Sequence, residues 1–547
     1  MPSIEVSLKD LEKLVGKKLD INKLQDDLFN LKLELDRWEQ DSMIIELEYD
    51  RPDLISTEGI ARQMKGYYGI ETGLKKYEFK DSKTTVTMSK ELDKYRPYAE
   101  YFIAKNVVLD DAAVKQLMQV QEKLHEVYGS NREKASIGVY DLDKTTSKFE
   151  YKAVKPEEIK FIPLESNELM NGREILSKHP KGIAFAHLLK GFDKYPLLLD
   201  DSGKVLSMPP IINSEDTKVD ENTKNLFVDV TGTDEKTVNM ITVILATMLA
   251  ERGAVIEKVK VVKGKEEKTT PVIIEKEMKL DSSYVEKVLG LKLTPKEIVN
   301  LLEKQRFKAT AKGNEIKVVV PCYRFDIMHP VDLVEEVSCA YGLNNMKPIL
   351  PNVATVGERH KIEKISWKVR ELMIGLGFQE VATFIMGNKE KLNIMDEKPI
   401  ELLNPMSEEY NAIRQSLIPK LLEVLSNNTH HELPQKVFEA GDVVLFTNRG
   451  ETKTDTKRHL AALIISPSVG FTEAKSVLEA LLRGFGIKPE YKEKTAKPFL
   501  EGRTAEVFDS EKKRKIGVIG EIHPDILLKF GLENPVAGFE IEAEKLL

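Results

Sequence analysis

The stretch LFVDVTGTDEKTVNMITVILATMLAERG, residues 226–253, decides the fold class because it joins a strand to a long helix. Its first residues read as a strand that ends in the turn TGTD, and the segment from Lys236 onwards reads as a helix. Gly253 is placed to end that helix as a C-cap. A strand that leads into a helix in this way is typical of a mixed α/β domain.

The same mixture of strands and helices extends on both sides of this stretch. On the N-terminal side, YFIAKNVVL (101–109) is strand-like, and a helix is predicted over 111–127. On the C-terminal side, KVKVVKGKEEKTT (258–270) alternates, which indicates an edge strand and a turn with a solvated face rather than a nucleic-acid-binding arm. We therefore predict one α/β domain over residues 89–268.

Residues 1–88 form a smaller α/β module in front of it. Three leucines at helical spacing are followed by three alternating apolar side chains, as in a half-buried strand: Leu24, Leu28, Leu31, Ile45, Leu47 and Tyr49. The lysine-rich segment KKYEFKDSKTT has no periodicity and reads as a connector.

Two further domains are predicted towards the C-terminus. Residues 271–349 read as a small α/β domain. In it, Thr294, Pro295 and Glu297 begin a helix as N-cap, first helical residue and capping-box partner. A second helix is expected in PVDLVEEVSCAYGL, after the strand IKVVVP. Residues 352–547 open with the helix KISWKVRELMIGLG and continue through several strands, which is enough chain for a full α/β core.

Composition and charge narrow the class of protein. A length of 547 residues with 41% hydrophobic and 31% charged residues suggests three to four packed domains. The net charge of −7 argues against a protein that coats nucleic acid through bulk positive charge, but an RNA partner stays open. Cys322 and Cys339 form no CxxC pair, and no apolar stretch reaches the roughly 20 residues of a membrane span. We expect a cytoplasmic protein without a membrane anchor.

The segment FDIMHPVDLVEEV (325–337) holds the densest group of carboxylates in the chain: Asp326, Asp332, Glu335 and Glu336. With Pro330 near the first helical position, Asp332 shares a helix face with Glu335 and Glu336. Converging carboxylates suit Mg²⁺. The alternative is the ordinary acidic first turn of a helix, which the helix dipole stabilises, and the spacing alone favours that alternative.

A second candidate site combines the loop SMPPIINSEDT (207–217) with FVDVTGTD (227–234). Hydroxyl, amide and carboxylate groups there are suited to a polar ligand; they belong to Ser207, Asn213, Asp229, Thr231 and Thr233. Asp229 and Thr231 are two apart on a strand and so share a face. Asx and ST turns at the end of a strand explain the same residues equally well. The common phosphate-loop, hydrolase-elbow and zincin motifs are absent from the sequence.

Seven motifs, taken in order, resemble the beta subunit family of phenylalanyl-tRNA synthetase in its shorter archaeal and eukaryotic form. They span residues 50 to 542 and are DRPDLISTEGIAR, SMPPIINSEDT, FVDVTGTD, FDIMHPVDLVEEVSCAYGLNN, LLNPMSEEYNAIRQSLIPKLLEVLSNN, VFEAGDVV and IGEIHPDILLKFGLENPVAGFEIE. Each motif is weak alone, but their order makes coincidence very improbable.

The resemblance implies an α+β multidomain fold. Its parts are an N-terminal α/β module, an α/β editing domain, a small α/β domain with metal-binding carboxylates, and a C-terminal antiparallel-sheet core like that of class II synthetases. That core resembles one that has lost its nucleotide site, because VFEAGDVV and VAGFEIEAEKL lack the expected ATP-binding arginines.

The resemblance also implies partners and site residues. The expected assembly has two alpha and two beta chains, acts on tRNA(Phe), and binds ATP and phenylalanine in the alpha chain. Mg²⁺ is expected at Asp326, Asp332, Glu335 and Glu336. Hydrolysis of mischarged tyrosyl-tRNA(Phe) is expected in a pocket formed by Ser207, Asn213, Asp229 and Thr231. Two other functions stay open: a non-editing RNA-binding or assembly protein derived from a synthetase subunit, and an autonomous deacylase.

Overall fold

The computed structural model describes residues 2–546, apart from the side chains of residues 111 and 112. It divides into two compact units, Met1–Leu350 and Pro351–Leu547. Helices accompany several separate sheets, so the chain has the mixed α/β multidomain architecture that the sequence predicts. The limits of the four predicted domains stay predictions.

The N-terminal part of the first unit is a three-stranded antiparallel sheet with helices. Its elements are β1 (Ser3–Ser7), α1 (Leu8–Val15), α2 (Ile21–Phe29), β2 (Leu33–Glu39), β3 (Ser42–Leu47) and α3 (Thr57–Tyr67). The sheet order is β1-β3-β2. Leu24, Leu28 and Leu31 are all buried, as their helical spacing predicts.

A ten-stranded sheet forms the middle of the first unit. The elements of this region are β4 (Lys80–Met88), β5 (Tyr98–Lys105), α4 (Asp111–Lys123), β6 (Ala135–Asp141), β7 (Lys148–Val154), β8 (Lys160–Phe161), β9 (Met170–Asn171), α5 (Gly172–Lys178), α6 (Pro180–Phe185), β10 (Tyr195–Asp200), β11 (Val205–Met208), β12 (Ile212–Asn213), β13 (Asn225–Gly232), α7 (Glu235–Glu251), β14 (Val255–Lys263) and β15 (Glu266–Thr270). Nine strands follow the order β12-β11-β10-β7-β4-β14-β5-β13-β6, and β15 pairs with β14. The pair β8 and β9 lies apart from this sheet.

The connector predicted in the lysine-rich segment is partly wrong, because residues 80–88 form strand β4. This strand lies inside the sheet and pairs in parallel with both β7 and β14. The lysine-rich segment contains only one of the three buried side chains of β4, because Thr84 lies within it while Val86 and Met88 follow it. Strand β4 forms because it pairs with a strand on each side. Such pairing involves residues distant in sequence, so the local hydrophobic pattern does not predict it.

The last part of the first unit is a small three-stranded sheet with three helices. Its elements are β16 (Lys276–Asp281), α8 (Ser282–Leu289), α9 (Pro295–Lys304), β17 (Lys308–Lys312), β18 (Glu315–Val320) and α10 (Pro330–Tyr341). Thr294 and Glu297 form the predicted capping box at the start of α9. Pro330 is the first residue of α10.

The second unit is built on a seven-stranded sheet. Its elements are α11 (Lys361–Gly375), β19 (Gln379–Glu380), β20 (Met386–Gly387), α12 (Lys389–Leu392), β21 (Ile400–Glu401), β22 (Ala412–Ile413), α13 (Ile418–Asn427), β23 (Gln435–Phe446), β24 (Thr454–Ile465), α14 (Phe471–Gly484), β25 (Pro489–Glu493), β26 (Phe499–Asp509), β27 (Arg514–Ile522), α15 (Pro524–Lys529) and β28 (Val536–Glu542). The order is β19-β23-β24-β28-β27-β26-β25, antiparallel except for the pair β19 and β23. Among residues 2–546, no helix is both long and apolar enough to cross a bilayer.

Candidate functional site

A cavity of about 340 Å³ in the first unit gathers most of the residues that the sequence selects as a ligand pocket. Its walls come from α4, from β6, from the loop after β11 and from β13. Many wall residues are apolar, and six of them are Val114, Leu117, Met118, Val139, Ile211 and Val219. An apolar cavity with a few polar groups is the usual form of a small-ligand site.

The structure brings three of the four predicted pocket residues to the cavity wall: Ser207, Asn213 and Asp229. Thr231 stands behind the wall and is fully buried. Its hydroxyl lies 3.2 Å from that of Ser136 and accepts a 3.4 Å hydrogen bond from Nε of Arg96. Thr233 is exposed and donates to the carbonyl of Glu133.

Ser207 and Asp229 are joined through the hydroxyl of Tyr140. This hydroxyl donates to Oδ1 of Asp229 and lies 2.7 Å from Oγ of Ser207. Burial raises the pKa of Asp229 to about 7, and the Tyr140 hydrogen bond and the Arg96 charge oppose that rise. A carboxyl group with such a pKa gains or loses its proton near neutral pH. It accepts hydrogen bonds when it is ionised and also donates one when it is protonated.

Four further residues of this site were not predicted from the sequence: His125, Arg132, Gly138 and Tyr140. His125 accepts a 2.7 Å hydrogen bond from the backbone N–H of Ile137 at Nε2, while Nδ1 is buried without a partner. Burial, with the Arg132 charge as the next cause, holds the pKa of His125 well below its usual value, so the ring is neutral.

Arg132 and Gly138 shape the cavity from different sides. Arg132 donates to the carbonyl of Ile211 at 3.0 Å and to Glu122 at 3.1 Å, which ties the loop after β11 to α4. Gly138 pairs with Asp229 in the sheet. A Cβ atom at Gly138 would overlap the Tyr140 hydroxyl and Oδ1 of Asp229, so only glycine leaves room for this hydrogen-bonded pair.

The carboxylates predicted to bind Mg²⁺ do not converge on a metal position. Asp326 and Glu336 each lie 2.6 Å from the same guanidinium nitrogen of Arg324. Asp332 accepts the backbone N–H groups of residues 328 and 329 at the start of α10. Glu335 pairs with Lys32 at 2.7 Å. Within residues 2–546, no group of three or more His, Cys, Asp or Glu side chains is placed to hold a metal ion.

These side chains therefore do not fit a Mg²⁺ site, because each carboxylate already has a cationic or backbone N–H partner. The arrangement agrees with the alternative that the sequence left open, in which Asp332 stabilises a helix terminus.

Arg324 also belongs to a buried ionic network with α3. Asp53 pairs with Arg51 at 2.9 Å and with Arg62 at 3.6 Å, and Arg51 lies 3.9 Å from Glu336. Arg51 is the largest factor that holds the pKa of Asp53 at about 2, against the opposing effect of burial. These buried ion pairs thus join the segment around residue 53 to the segment around residue 326, and we call them the junction.

Three protein-family models match the chain. The B3/4 domain matches residues 126–261, the tRNA synthetase B5 domain matches residues 278–343, and the phenylalanyl tRNA synthetase beta chain CLM domain matches residues 346–543. Gly138, Tyr140 and Asp229 of the cavity fall in the first match.

Curated relatives extend the match to the full length. The chain is 41% identical to a phenylalanine–tRNA ligase beta subunit of Thermococcus sibiricus, over 99% of this chain and 98% of that protein. It is 42% identical to the beta subunit of Methanocaldococcus jannaschii, over 100% of both chains. The chain belongs to the phenylalanine–tRNA ligase beta subunit family.

A solved structure supports the fold of the first unit of this beta subunit. It is the crystal structure of an N-terminal fragment of the phenylalanyl-tRNA synthetase beta subunit from Pyrococcus horikoshii. The fragment is 42% identical, superimposes with a TM-score of 0.61, and covers 62% of this chain and all of its own. As a ligase beta subunit, the protein is part of an aminoacyl-tRNA synthetase.

Proposed function

We propose that this beta subunit assembles with an alpha subunit, as two alpha and two beta chains, and supports ATP-dependent attachment of phenylalanine to tRNA(Phe). In this proposal the alpha chain binds ATP and phenylalanine. The full-length similarity to ligase beta subunits supports it. Co-expression with an alpha chain, followed by sedimentation analysis of mass, tests the stoichiometry. A beta chain that stays alone at micromolar concentrations of both chains contradicts the assembly.

We propose further that the cavity around Asp229 removes tyrosine from mischarged tyrosyl-tRNA(Phe). The observation that carries this proposal is the buried chain of polar groups from Ser207 through Tyr140 to Asp229 in an otherwise apolar wall. A tyrosine hydroxyl extends this chain by one hydrogen bond, whereas a phenylalanine ring adds none. A site built to bind a hydroxyl through hydrogen bonds rejects the analogue without it far better than an apolar pocket rejects an added hydroxyl.

Such a second site has a purpose in a phenylalanine ligase. An apolar pocket shaped for phenylalanine rejects an isostere with one added hydroxyl by only about 10²-fold. Ester hydrolysis in the cavity then needs a positioned water and the hydroxyl groups of the tRNA end, because His125 faces Ile137 and has no serine partner. Asp229 and Ser207 orient the tyrosine through its hydroxyl, the group that phenylalanine lacks.

Two assays on the assembled enzyme test the editing proposal. Asp229→Ala and Ser207→Ala are expected to slow tyrosyl-tRNA deacylation by roughly 5- to 150-fold, since a lost hydrogen bond to a buried polar group costs about 1 to 3 kcal/mol. Charging with phenylalanine is expected to stay at the parental rate. Thr233→Ala is the matched control, because this exposed threonine follows the end of β13 and does not line the cavity.

Parental deacylation by both cavity variants, with the fold intact, would favour a non-editing assembly protein. Deacylation by the beta chain at the full rate without any alpha chain would instead favour an autonomous deacylase. We assign no Mg²⁺ to Asp326, Asp332, Glu335 or Glu336, and any Mg²⁺ requirement of the ligase reaction belongs to other groups.

A further inference from the structure

A buried guanidinium group lies directly behind the wall of the cavity in the first unit. It belongs to Arg96, which precedes β5, is 3% exposed and does not line the cavity. Arg96 donates to the hydroxyl of Thr231 at 3.4 Å, to the hydroxyl of Ser136 at 3.2 Å, and to the carbonyl of Thr231. Its other two donors bind the carbonyls of Arg132 at 3.2 Å and Glu133 at 3.3 Å. A guanidinium has five N–H groups, so every one of them is used.

Two of these hydrogen bonds hold a turn with an unusual backbone. Three consecutive residues of this turn have positive φ angles, of 50°, 51° and 72°: Ser130, Asn131 and Arg132. Residues other than glycine rarely adopt this left-handed conformation, and it persists only where the surrounding contacts fix it. Arg96 supplies such contacts at the end of the turn. Because Arg132 in turn donates to the carbonyl of Ile211, Arg96 also fixes the cavity loop after β11.

The remaining three hydrogen bonds place the charge of Arg96 close to Asp229. They bind Thr231 and Ser136, and Thr231 shares a face of β13 with Asp229, roughly 7 Å away along the strand. Within the described part of the chain, no carboxylate forms an ion pair with Arg96, and Asp229 is the carboxylate whose charge acts on it. The positive charge therefore favours the ionised form of Asp229.

The other titratable groups that face Asp229 are neutral. They are tyrosines on three strands of the same sheet, Tyr101 of β5, Tyr140 of β6 and Tyr151 of β7. Burial raises the pKa of each phenol above its usual value, so none is ionised near neutral pH. The remaining titratable side chains of the cavity lining are not among the groups that shift the Asp229 pKa: Glu122, His125, Arg132, Glu165, Lys181 and Lys218. Among the described residues, Arg96 is thus the charged group that controls the ionisation of Asp229.

We propose that Arg96 is a positioning residue of the editing site: it favours the ionised form of Asp229 and fixes the turn that carries Arg132. This inference rests on the proposed editing function. A hydrogen bond to an ionised acceptor is about twice as strong as one between neutral groups, so ionised Asp229 binds the tyrosine hydroxyl more strongly. The preference for tyrosine is therefore expected to increase as the pH rises and Asp229 loses its proton.

The pH dependence of substrate preference tests this inference on the assembled enzyme. Two substrates are compared: tRNA(Phe) acylated with tyrosine, and the same tRNA acylated with 4-methylphenylalanine, whose methyl group resembles the hydroxyl in size but donates no hydrogen bond. The ratio of their kcat/KM values for deacylation removes the pH effects that are common to both esters. Because kcat/KM reports the ionisation of the free enzyme, the parental ratio is expected to rise between pH 6 and pH 8, with a midpoint at about 7.

Substitutions of Arg96 separate its charge from its hydrogen bonds. Arg96→Gln removes the charge but keeps N–H donors, and the midpoint is expected to lie roughly one pH unit higher. Arg96→Lys keeps the charge but lacks the planar fork of donors, so the midpoint is expected to stay while kcat/KM for tyrosyl-tRNA falls roughly fivefold or more. Arg173→Gln is the control, because this arginine is exposed, pairs with Glu157 and does not line the cavity.

A parental midpoint in Arg96→Gln, or parental kinetics in Arg96→Lys, overturns the inference, and so does a parental ratio that does not change with pH. Absence of tyrosyl-tRNA deacylation in the parent contradicts the editing proposal itself, so the two failures are distinguishable. Circular dichroism checks the fold of each variant. If either substitution of Arg96 prevents folding, Thr231→Val removes a single hydrogen-bond acceptor of Arg96 and is expected to lower kcat/KM for tyrosyl-tRNA. Parental kinetics of that variant overturns the inference.

Discussion

At the scale of single residues, Asp229 links the site to the stability of the first unit. Asp229 is 1% exposed, and burial raises the pKa of its carboxyl group to about 7. The unfolded chain has a carboxyl pKa near 3.9, so the folded form binds the proton more tightly. Stability is therefore expected to fall as the pH rises from about 4 to 7 and to level off above that, by roughly 4 kcal/mol at most.

The test compares urea unfolding of the parent and Asp229→Asn at pH 5 and pH 8. Asparagine keeps the shape and the acceptor for Tyr140 but has no charge, so the variant is expected to lose this part of the pH dependence. An identical pH dependence in both proteins would show that ionisation of Asp229 does not lower the free energy of unfolding, which would contradict the raised pKa.

Arg324 gives a prediction about the buried ionic network. Arg324→Met leaves Asp326 and Glu336 without their shared cation, and breaking a buried pair costs roughly 3 to 5 kcal/mol. A large fall in the thermal unfolding temperature is expected. Glu335→Gln is the control, because Glu335 is 53% exposed and an exposed ion pair contributes about 0 to 1 kcal/mol. If the two substitutions lowered the unfolding temperature equally, the buried ion pairs of Arg324 would not stabilise the fold more than an exposed pair does.

At the scale of elements, the sequence predicts best where the signal is local. The capping box at Thr294 and Glu297 identifies the start of α9, because cap and helix lie within one turn of each other. Strand β4 carries no comparable signal, since its pairing partners β7 and β14 are distant in sequence.

The same reasoning separates the cavity residues that were predicted from those that were missed. Ser207, Asn213 and Asp229 stand in short segments crowded with polar groups, which draws attention to them. Tyr140 and Gly138 belong to an ordinary strand and reach Asp229 only through the pairing of β13 with β6. Their role follows from sheet register, which the sequence alone does not specify.

Gly138 in β6 provides a prediction at this scale. Gly138→Ala adds a methyl group where the Tyr140 hydroxyl and the Asp229 carboxylate meet, so the two must separate. We expect tyrosyl-tRNA deacylation by the assembled enzyme to fall at least tenfold while phenylalanine charging is kept, with a stability loss of about 1 to 3 kcal/mol from overpacking. Gly357→Ala is the control, because a Cβ atom there meets open space. Parental deacylation by Gly138→Ala would mean that the tyrosine does not approach this pair.

At the scale of the whole molecule, the central question is which chain activates the amino acid. Binding of ATP phosphates in a class II synthetase core depends on arginines near the sheet. In the second unit, three arginines at the sheet are already paired with carboxylates: Arg414 with Glu439 at 2.9 Å, Arg458 with Asp442 at 2.6 Å, and Arg503 with Glu521 at 2.9 Å. Phosphate binding would have to displace these partners, and for the buried pair of Arg414 and Glu439 that would leave an unpaired charge.

The beta chain alone is therefore expected to catalyse no phenylalanine-dependent exchange of pyrophosphate into ATP. Addition of the alpha chain is expected to restore exchange, because the alpha chain supplies the nucleotide site in the proposed assembly. The measurement uses beta chain freed of alpha chain by denaturing purification and refolding, with circular dichroism as the control for its fold. Exchange by the refolded beta chain alone, at a rate that scales with its concentration, would place a working synthetic site in this chain and would contradict the proposed division of roles.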